Sequence, residues 1–169
     1  MNGIEYKFLS TESGFLLRFL SAGICGIYTM YAVVGINCTL SHIDKLLRKE
    51  WCECCNHTSV FLDENGDEVK KSMKVLLLGL NGKITYEYDM GSTTTVYIEL
   101  LSISNDTSNK TNQKIIFRNT VNPVCKCKNP AIFIYEGQPL CSECSIDVED
   151  SQMLAEIVNS PRTGICGYS

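Results

Sequence analysis

Positive charge is what this chain is short of. Its 169 residues carry 15 Lys and Arg against 19 Asp and Glu, a net charge of −4 with a pI near 5.2. A protein that coats nucleic acid needs surplus cations to neutralise phosphates, so that class of function is disfavoured. The cations that do gather, Lys110, Lys114, Arg118, Lys126 and Lys128, read as a local basic patch or as lysines scattered over a solvated loop. The start of the chain, Met1-Asn2-Gly3-Ile4-Glu5-Tyr6-Lys7, lacks a basic run leading into an apolar core, and it carries Glu5 and Glu12. That argues against a secretory leader. No internal repeat or coiled-coil heptad is visible, so solenoids and long coiled coils drop out. Hydrophobic residues make up 44%, enough to bury a proper core. The length suits one domain, or one with a small appendage.

Cysteine is abundant: the chain has ten. Four of them form Cys125-Lys126-Cys127, then thirteen residues, then Cys141-Ser142-Glu143-Cys144. Two close pairs on tight knuckles, joined by a loop that folds back, supply the tetrahedral thiolates of a structural zinc site. The second pair has the common spacing and the first a tighter one. Disulfides or free thiols are the alternative. An even cysteine count and the sequons at Asn37, Asn56, Asn105 and Asn109 would suit a secreted disulfide framework. The cysteines cluster too closely for long-loop cross-links, however, so a reducing, cytoplasmic location is expected.

Phe15 to Ile36 is the most apolar run, with Arg18 its single charge. A membrane helix needs about 20 such residues, so length alone permits one. Gly14, Gly23, Gly26 and Gly35 interrupt it, and the expectation is a short amphipathic helix over 14–21 followed by a strand near 27–36. Thr39 then caps a helix in which Leu40, Ile43, Leu46, Leu47 and Trp51 recur at helical spacing. Asp44, Lys45, Arg48, Lys49 and Glu50 occupy its other face. The helix runs into Cys52, Cys54, Cys55 and His57, soft ligands that adjacent positions would point apart. A metal site and buried thiols with a hydrogen-bonded His57 are the two readings there. Val60 to Leu62 reads as a strand and Asp63 to Gly66 as a turn. Val75 to Leu80 is too short to assign, with Asn81-Gly82 a turn after it. Ile84 to Asp89, Thr94 to Leu101 and Lys114 to Arg118 read as strands, separated by a polar turn and by a mobile loop over 102–113. Ala131 to Tyr135 is a strand within the cysteine-rich segment, and the turn-rich tail after Asn159 is expected to dock on the domain.

Several segments together are similar to a family. They are Thr39 to Arg48 leading into Trp51 and Glu53-Cys54-Cys55-Asn56-His57, then Tyr86-Glu87-Tyr88-Asp89-Met90-Gly91-Ser92-Thr93-Thr94, then Asn159-Ser160-Pro161-Arg162 with Cys166-Gly167-Tyr168. The chain resembles the plasmid pRiA4b ORF-3-like family, passenger proteins of insertion elements. The resemblance implies an α+β fold with a curled antiparallel sheet packed against one or two helices, plus a small zinc-stapled module near the C-terminus. It divides the chain into a core over 1–118, a zinc module over 119–148 and a C-terminal segment over 149–169. Cys125, Cys127, Cys141 and Cys144 would hold the zinc, and Glu53, His57, Tyr88, Asp89, Arg118 and Arg162 would form a binding site. Relatives tend to carry two Cys-x-x-Cys pairs, a glycine in place of Asn56 and an aromatic in place of Met90.

Three functions follow for weighing. The first is a non-enzymatic, zinc-binding interaction protein, an accessory factor of a mobile element or phage acting on a protein or protein–nucleic acid assembly such as recombination or host-defence machinery. The second is an enzyme in which Cys54 or Cys55 is a nucleophile activated by His57, with Asp89 orienting the imidazole and Arg118 or Arg162 binding an anion. Its bland counterpart has Asp89 capping a turn while Arg118 and Arg162 pair with Glu53 or Glu87. The third is a nucleic-acid binder using the zinc module, with Lys126 and Lys128 on phosphates. It lacks the recognition helix that finger-type readers place after their ligands.

Overall fold

The computed structural model describes residues 14–53, 55–104 and 113–166. Cys54, Gly167, Tyr168, residues 105–112 of the loop expected over 102–113 (Lys110 among them) and the N-terminal residues discussed above lie outside them; 102–104 and Gln113 belong to strands.

Alternation of side chains builds the main sheet. In β1 (Gly14–Gly23), Phe15, Leu17 and Phe19 are fully buried while the residues between them are partly exposed. This two-residue period marks a strand, and it corrects the helix expected over 14–21. The run is nearly all apolar, so period alone did not separate helix from strand; pairing did. β1 forms a hairpin with β2 (Gly26–Gly35), in which Phe19 faces Met30 and Leu17 faces Ala32. The apolar run over 15–36 is therefore mostly a hairpin, and among the described residues no helix is long and apolar enough to cross a membrane.

After β2 comes α1 (Leu40–Leu47), where the backbone N–H of Thr39 donates to His42 Nδ1 at 3.2 Å. Leu40, Ile43, Leu46 and Leu47 are buried, as their spacing predicts. The helix then widens into a π-turn over Arg48–Cys52, closed by the Glu53 N–H donating to the Arg48 carbonyl at 2.9 Å. One wide turn drives both Trp51 and Cys52 into the core. β3 (Ser59–Leu62), β4 (Glu68–Val69), β5 (Lys83–Tyr88), β6 (Thr94–Ser104) and β7 (Gln113–Arg118) complete a seven-stranded antiparallel sheet in the order β4-β3-β5-β6-β1-β2-β7. Its core face carries Phe61, Tyr86, Tyr88, Val96, Ile98 and Leu100, and α1 covers that face. The unassigned run at Val75 is a single tight helical turn, Val75–Leu78. Gly82 follows because a Cβ there would lie 1.9 Å from the Leu78 carbonyl oxygen.

A second, three-stranded sheet in the order β10-β8-β9 sits beyond residue 118. β8 (Phe133–Tyr135) and β9 (Gln138–Leu140) meet in a two-residue turn whose Glu136 and Gly137 both have positive φ, 46° and 77°. Such turns match the right-handed twist of the strands they join. β10 (Ala155–Glu156) adds the third strand from the C-terminal segment. The chain then returns to the main domain, where Ser160 Oγ donates to the Trp51 carbonyl at 2.6 Å. Ser160, Arg162 and Thr163 are all buried there.

Candidate functional site

Two clusters hold the chemistry. The first is the four-cysteine module. Cys125 and Cys127 lie on a tight loop in which Lys128 N–H donates to the Cys125 carbonyl at 2.8 Å and Cys125 N–H donates to the Asn129 carbonyl at 2.9 Å. Lys128 turns this corner with a φ of 73°. The second knuckle is closed by Ser145 N–H donating to the Cys141 carbonyl at 3.0 Å. The β8–β9 hairpin between them brings the knuckles face to face. The four sulfurs all lie within 4.8 Å of one another, with Cys127 and Cys141 3.5 Å apart.

Electrostatics within the module favour a cation. Backbone N–H groups of Cys127 and Cys141 hold the Cys125 thiol down to about 6. The Cys144 N–H lowers Cys141 in the same way. The Cys144 thiol is pushed up to about 12, by its bonds to Cys127 and Cys125 first. Cys125 and Cys141 form thiolates readily, while Cys127 and Cys144, both pushed up, resist adding their charge to the cluster. A bound divalent ion removes that resistance, and these residues fit one.

The second cluster surrounds Tyr88, at the end of β5. Its hydroxyl donates to Glu53 Oε1 at 3.1 Å and accepts the His57 N–H at 3.1 Å. The guanidinium carbons of Arg48 and Arg162 stand 4.9 and 5.0 Å from the centre of its ring. The His57 ring meets it edge-on at 5.8 Å. Arg162 is wholly buried and donates to Asp89 Oδ2 at 2.8 Å, to Thr94 Oγ1 at 3.1 Å and to the Ser92 carbonyl at 3.1 Å. Asp89 turns the corner after β5 with a φ of 63°, and its Oδ1 accepts from the N–H groups of Gly91 and Ser92. The Arg162 bond, more than any other contact, holds the Asp89 carboxyl below its ordinary range. Asp89 Oδ2 also lies 3.7 Å from His57 Nε2.

Of the six residues expected to form a binding site, Glu53, His57, Tyr88, Asp89 and Arg162 therefore share one connected network. Arg118 stands apart on β7, where its Nη1 donates to Glu50 Oε2 at 2.9 Å. Asp89 does cap a turn, but Arg162 pairs with it and with neither Glu53 nor Glu87. Sequence reasoning missed Arg48, which joins Asp44, Glu53, the His57 carbonyl and Ser59. It also missed Asp44, which accepts from Ser59 Oγ at 2.6 Å and from the Tyr86 hydroxyl at 2.9 Å. The signal was present: Asp44 and Arg48 are four apart on one helix, a spacing that pairs opposite charges.

The cysteines divide by environment. No disulfide joins the nine described ones. Burial pushes the Cys38 and Cys52 thiols up to about 12, so both behave as small apolar side chains. Cys52 is fully buried, and among the described residues it falls in neither cluster of metal-ligand spacing. Cys55 remains at the surface, and Cys166 joins it from the C-terminal segment.

No protein-family model matches the chain, and no curated protein matches it. Its fold is similar to that of a solved structure, the protein of unknown function MM3350 from Methanosarcina mazei Go1. The two share 16% identity with a TM-score of 0.53, over 63% of this chain and 68% of that one. At that identity the likeness is one of fold alone.

Proposed function

We propose that this protein is a non-enzymatic interaction domain whose C-terminal module is stapled by zinc. One observation carries the reading: four cysteine sulfurs within 4.8 Å of one another make a complete protein shell. A shell of four thiolates is that of a structural ion, since a catalytic one keeps a position for water or substrate. Among thiophilic ions zinc suits it, needing neither redox chemistry nor added sulfide.

The module's surface supports a protein partner. Val124, Ile132, Ile146, Met153 and Val158 are large apolar side chains left exposed on this small segment. Of these, Ile132 and Val158 line a groove of about 240 Å³ together with Val121, Pro123, Pro130 and Ile157 among others. Apolar surface gathered in this way suits a protein segment better than a phosphate backbone. The only helical turn after the cysteines in the described residues is three residues long, too short to read a groove in DNA. The resemblance to insertion-element passenger proteins would suit a partner in a recombination or host-defence assembly.

Two measurements test this reading. Metal analysis of the purified chain should find zinc, one equivalent of which is lost in Cys141→Ser. Partner capture should fail in Ile132→Glu and Val158→Glu, while duplex DNA should show no appreciable binding by fluorescence anisotropy. DNA binding that weakens steeply with added salt would replace the protein partner with nucleic acid.

A further inference from the structure

We propose that Cys55, His57 and Cys166 form a second metal site, for a thiophilic divalent cation such as zinc, with its fourth position open to solvent. The site does not depend on the four-cysteine module or on the interaction role argued above. Its three ligand atoms all lie within 4.8 Å of one another. Cys166 Sγ is 3.5 Å from His57 Nε2 and 3.3 Å from Cys55 Sγ. A tetrahedral ion with metal–sulfur bonds of about 2.3 Å and a metal–nitrogen bond of about 2.0 Å sets its sulfur–nitrogen edge at ~3.5 Å and its sulfur–sulfur edge at ~3.8 Å. The Cys166–His57 pair meets the first edge, the Cys55–Cys166 pair needs a small opening to meet the second, and the Cys55–His57 pair lies within 4.8 Å.

Each ligand is presented by a separate device. Cys55 and His57 flank Asn56, whose φ of 58° bends the chain so that both side chains can face one point. The spacing Cys55-Asn56-His57 repeats the tight two-ligand knuckle of Cys125-Lys126-Cys127. His57 is oriented by its backbone bond to the Tyr88 hydroxyl and by its edge-on packing against that ring. Cys166, with a φ of 52°, arrives from the docked tail 111 residues after Cys55.

Charge points the same way. The nearby cations are already committed, Arg162 to Asp89 and Arg48 to Asp44 and Glu53. A divalent ion held by two thiolates and an imidazole would have its charge balanced by the sulfurs. Both cysteines are exposed, so an ion can enter directly from water. Asp89 Oδ2, 3.7 Å from His57 Nε2, is positioned to take a hydrogen bond from whatever fills the open position. A disulfide between Cys55 and Cys166 would use only two of the three groups.

The test is cobalt(II) titration of the metal-free full chain under reducing conditions, read by absorbance and by mass spectrometry of the native protein. The wild type should take two equivalents. The second should add about half the thiolate-to-metal charge-transfer intensity of the first, two sulfurs against four. Cys55→Ser, Cys166→Ser and His57→Ala should each lose that second equivalent while the far-ultraviolet circular dichroism stays unchanged. A wild type that takes one equivalent, retained in Cys55→Ser, overturns the proposal. So does a Cys55–Cys166 disulfide found in protein isolated with its thiols blocked. A single equivalent lost in Cys55→Ser but kept in Cys141→Ser would support this site and sink the four-cysteine staple instead.

Discussion

Arg162 Nη2 lies 2.8 Å from Asp89 Oδ2, and the guanidinium that makes this bond is wholly buried. The pair links the C-terminal segment to the corner after β5, 73 residues earlier in the chain. Desolvating an arginine is costly, and bonds to Asp89, Thr94 and Ser92 offset that cost. Breaking such a pair from one side leaves the other group without its counter-charge. Arg162→Leu is therefore expected to lower stability by roughly 3–5 kcal/mol in urea unfolding, with Arg162→Lys intermediate because an ammonium cannot reproduce the fork.

The carboxylates of this network set an acid limit. Asp89 is held low chiefly by Arg162. Burial works to raise Asp44, but bonds from Ser59 and Tyr86 and the charges of Lys71 and Arg48 outweigh it. Both folded-state values lie below the unfolded ones, so the unfolded chain binds more protons in acid. Their contribution is complete above about pH 4 and is lost as pH falls through the depressed values. Thermal midpoints measured from neutral pH down to about pH 3 should fall steeply below pH 4, and Asp89→Asn should flatten that fall.

If the four cysteines hold the proposed zinc, removing it should unfold the module before the sheet. The small core there is Cys125, Ala131 and Cys141, packed by Leu140, Cys144 and Ile157, so most of it is the ligand set itself. Structural zinc binding is worth about 10–16 kcal/mol in isolated fingers, and that binding energy is folding energy. A strong chelator, or Cys141→Ser, is expected to abolish hydrogen-exchange protection over 123–145. Protection of β1 and β6 should persist, and its simultaneous loss would show that the module supports the whole domain.

Docking of the tail leaves no room at Gly23. A Cβ there would lie 2.6 Å from the Pro161 carbonyl oxygen and 2.7 Å from its Cα. These are backbone atoms held by the buried Ser160 and Arg162 on either side, so they cannot swing away. Gly23→Ala should cost about 1–3 kcal/mol by overpacking. It should also make the tail beyond 158 more sensitive to protease, which limited proteolysis would read.

Much of this structure was legible in local pattern. Leu40, Ile43, Leu46 and Leu47 buried the face their spacing assigned them, and the alternating strands β5 and β6 paired as neighbours. The paired cysteines announced their cluster because ligand spacing is a local property. Of the six residues that the family resemblance singled out, Glu53, His57, Tyr88, Asp89 and Arg162 meet around one tyrosine ring and Arg118 does not. What tertiary structure alone decided was every outcome that depends on a distant partner. Phe15 to Ser21 became a strand because β2 and β6 flank it, whereas its apolar run suited either period. Arg48 became a hub because β3 and β5 carry Ser59 and the Tyr88 ring to it. Arg118 went to Glu50, and Cys166 reached Cys55 and His57 across more than a hundred residues. Local sequence sets period and capping, but only closure of the sheet and docking of the tail determine which side chains share a site.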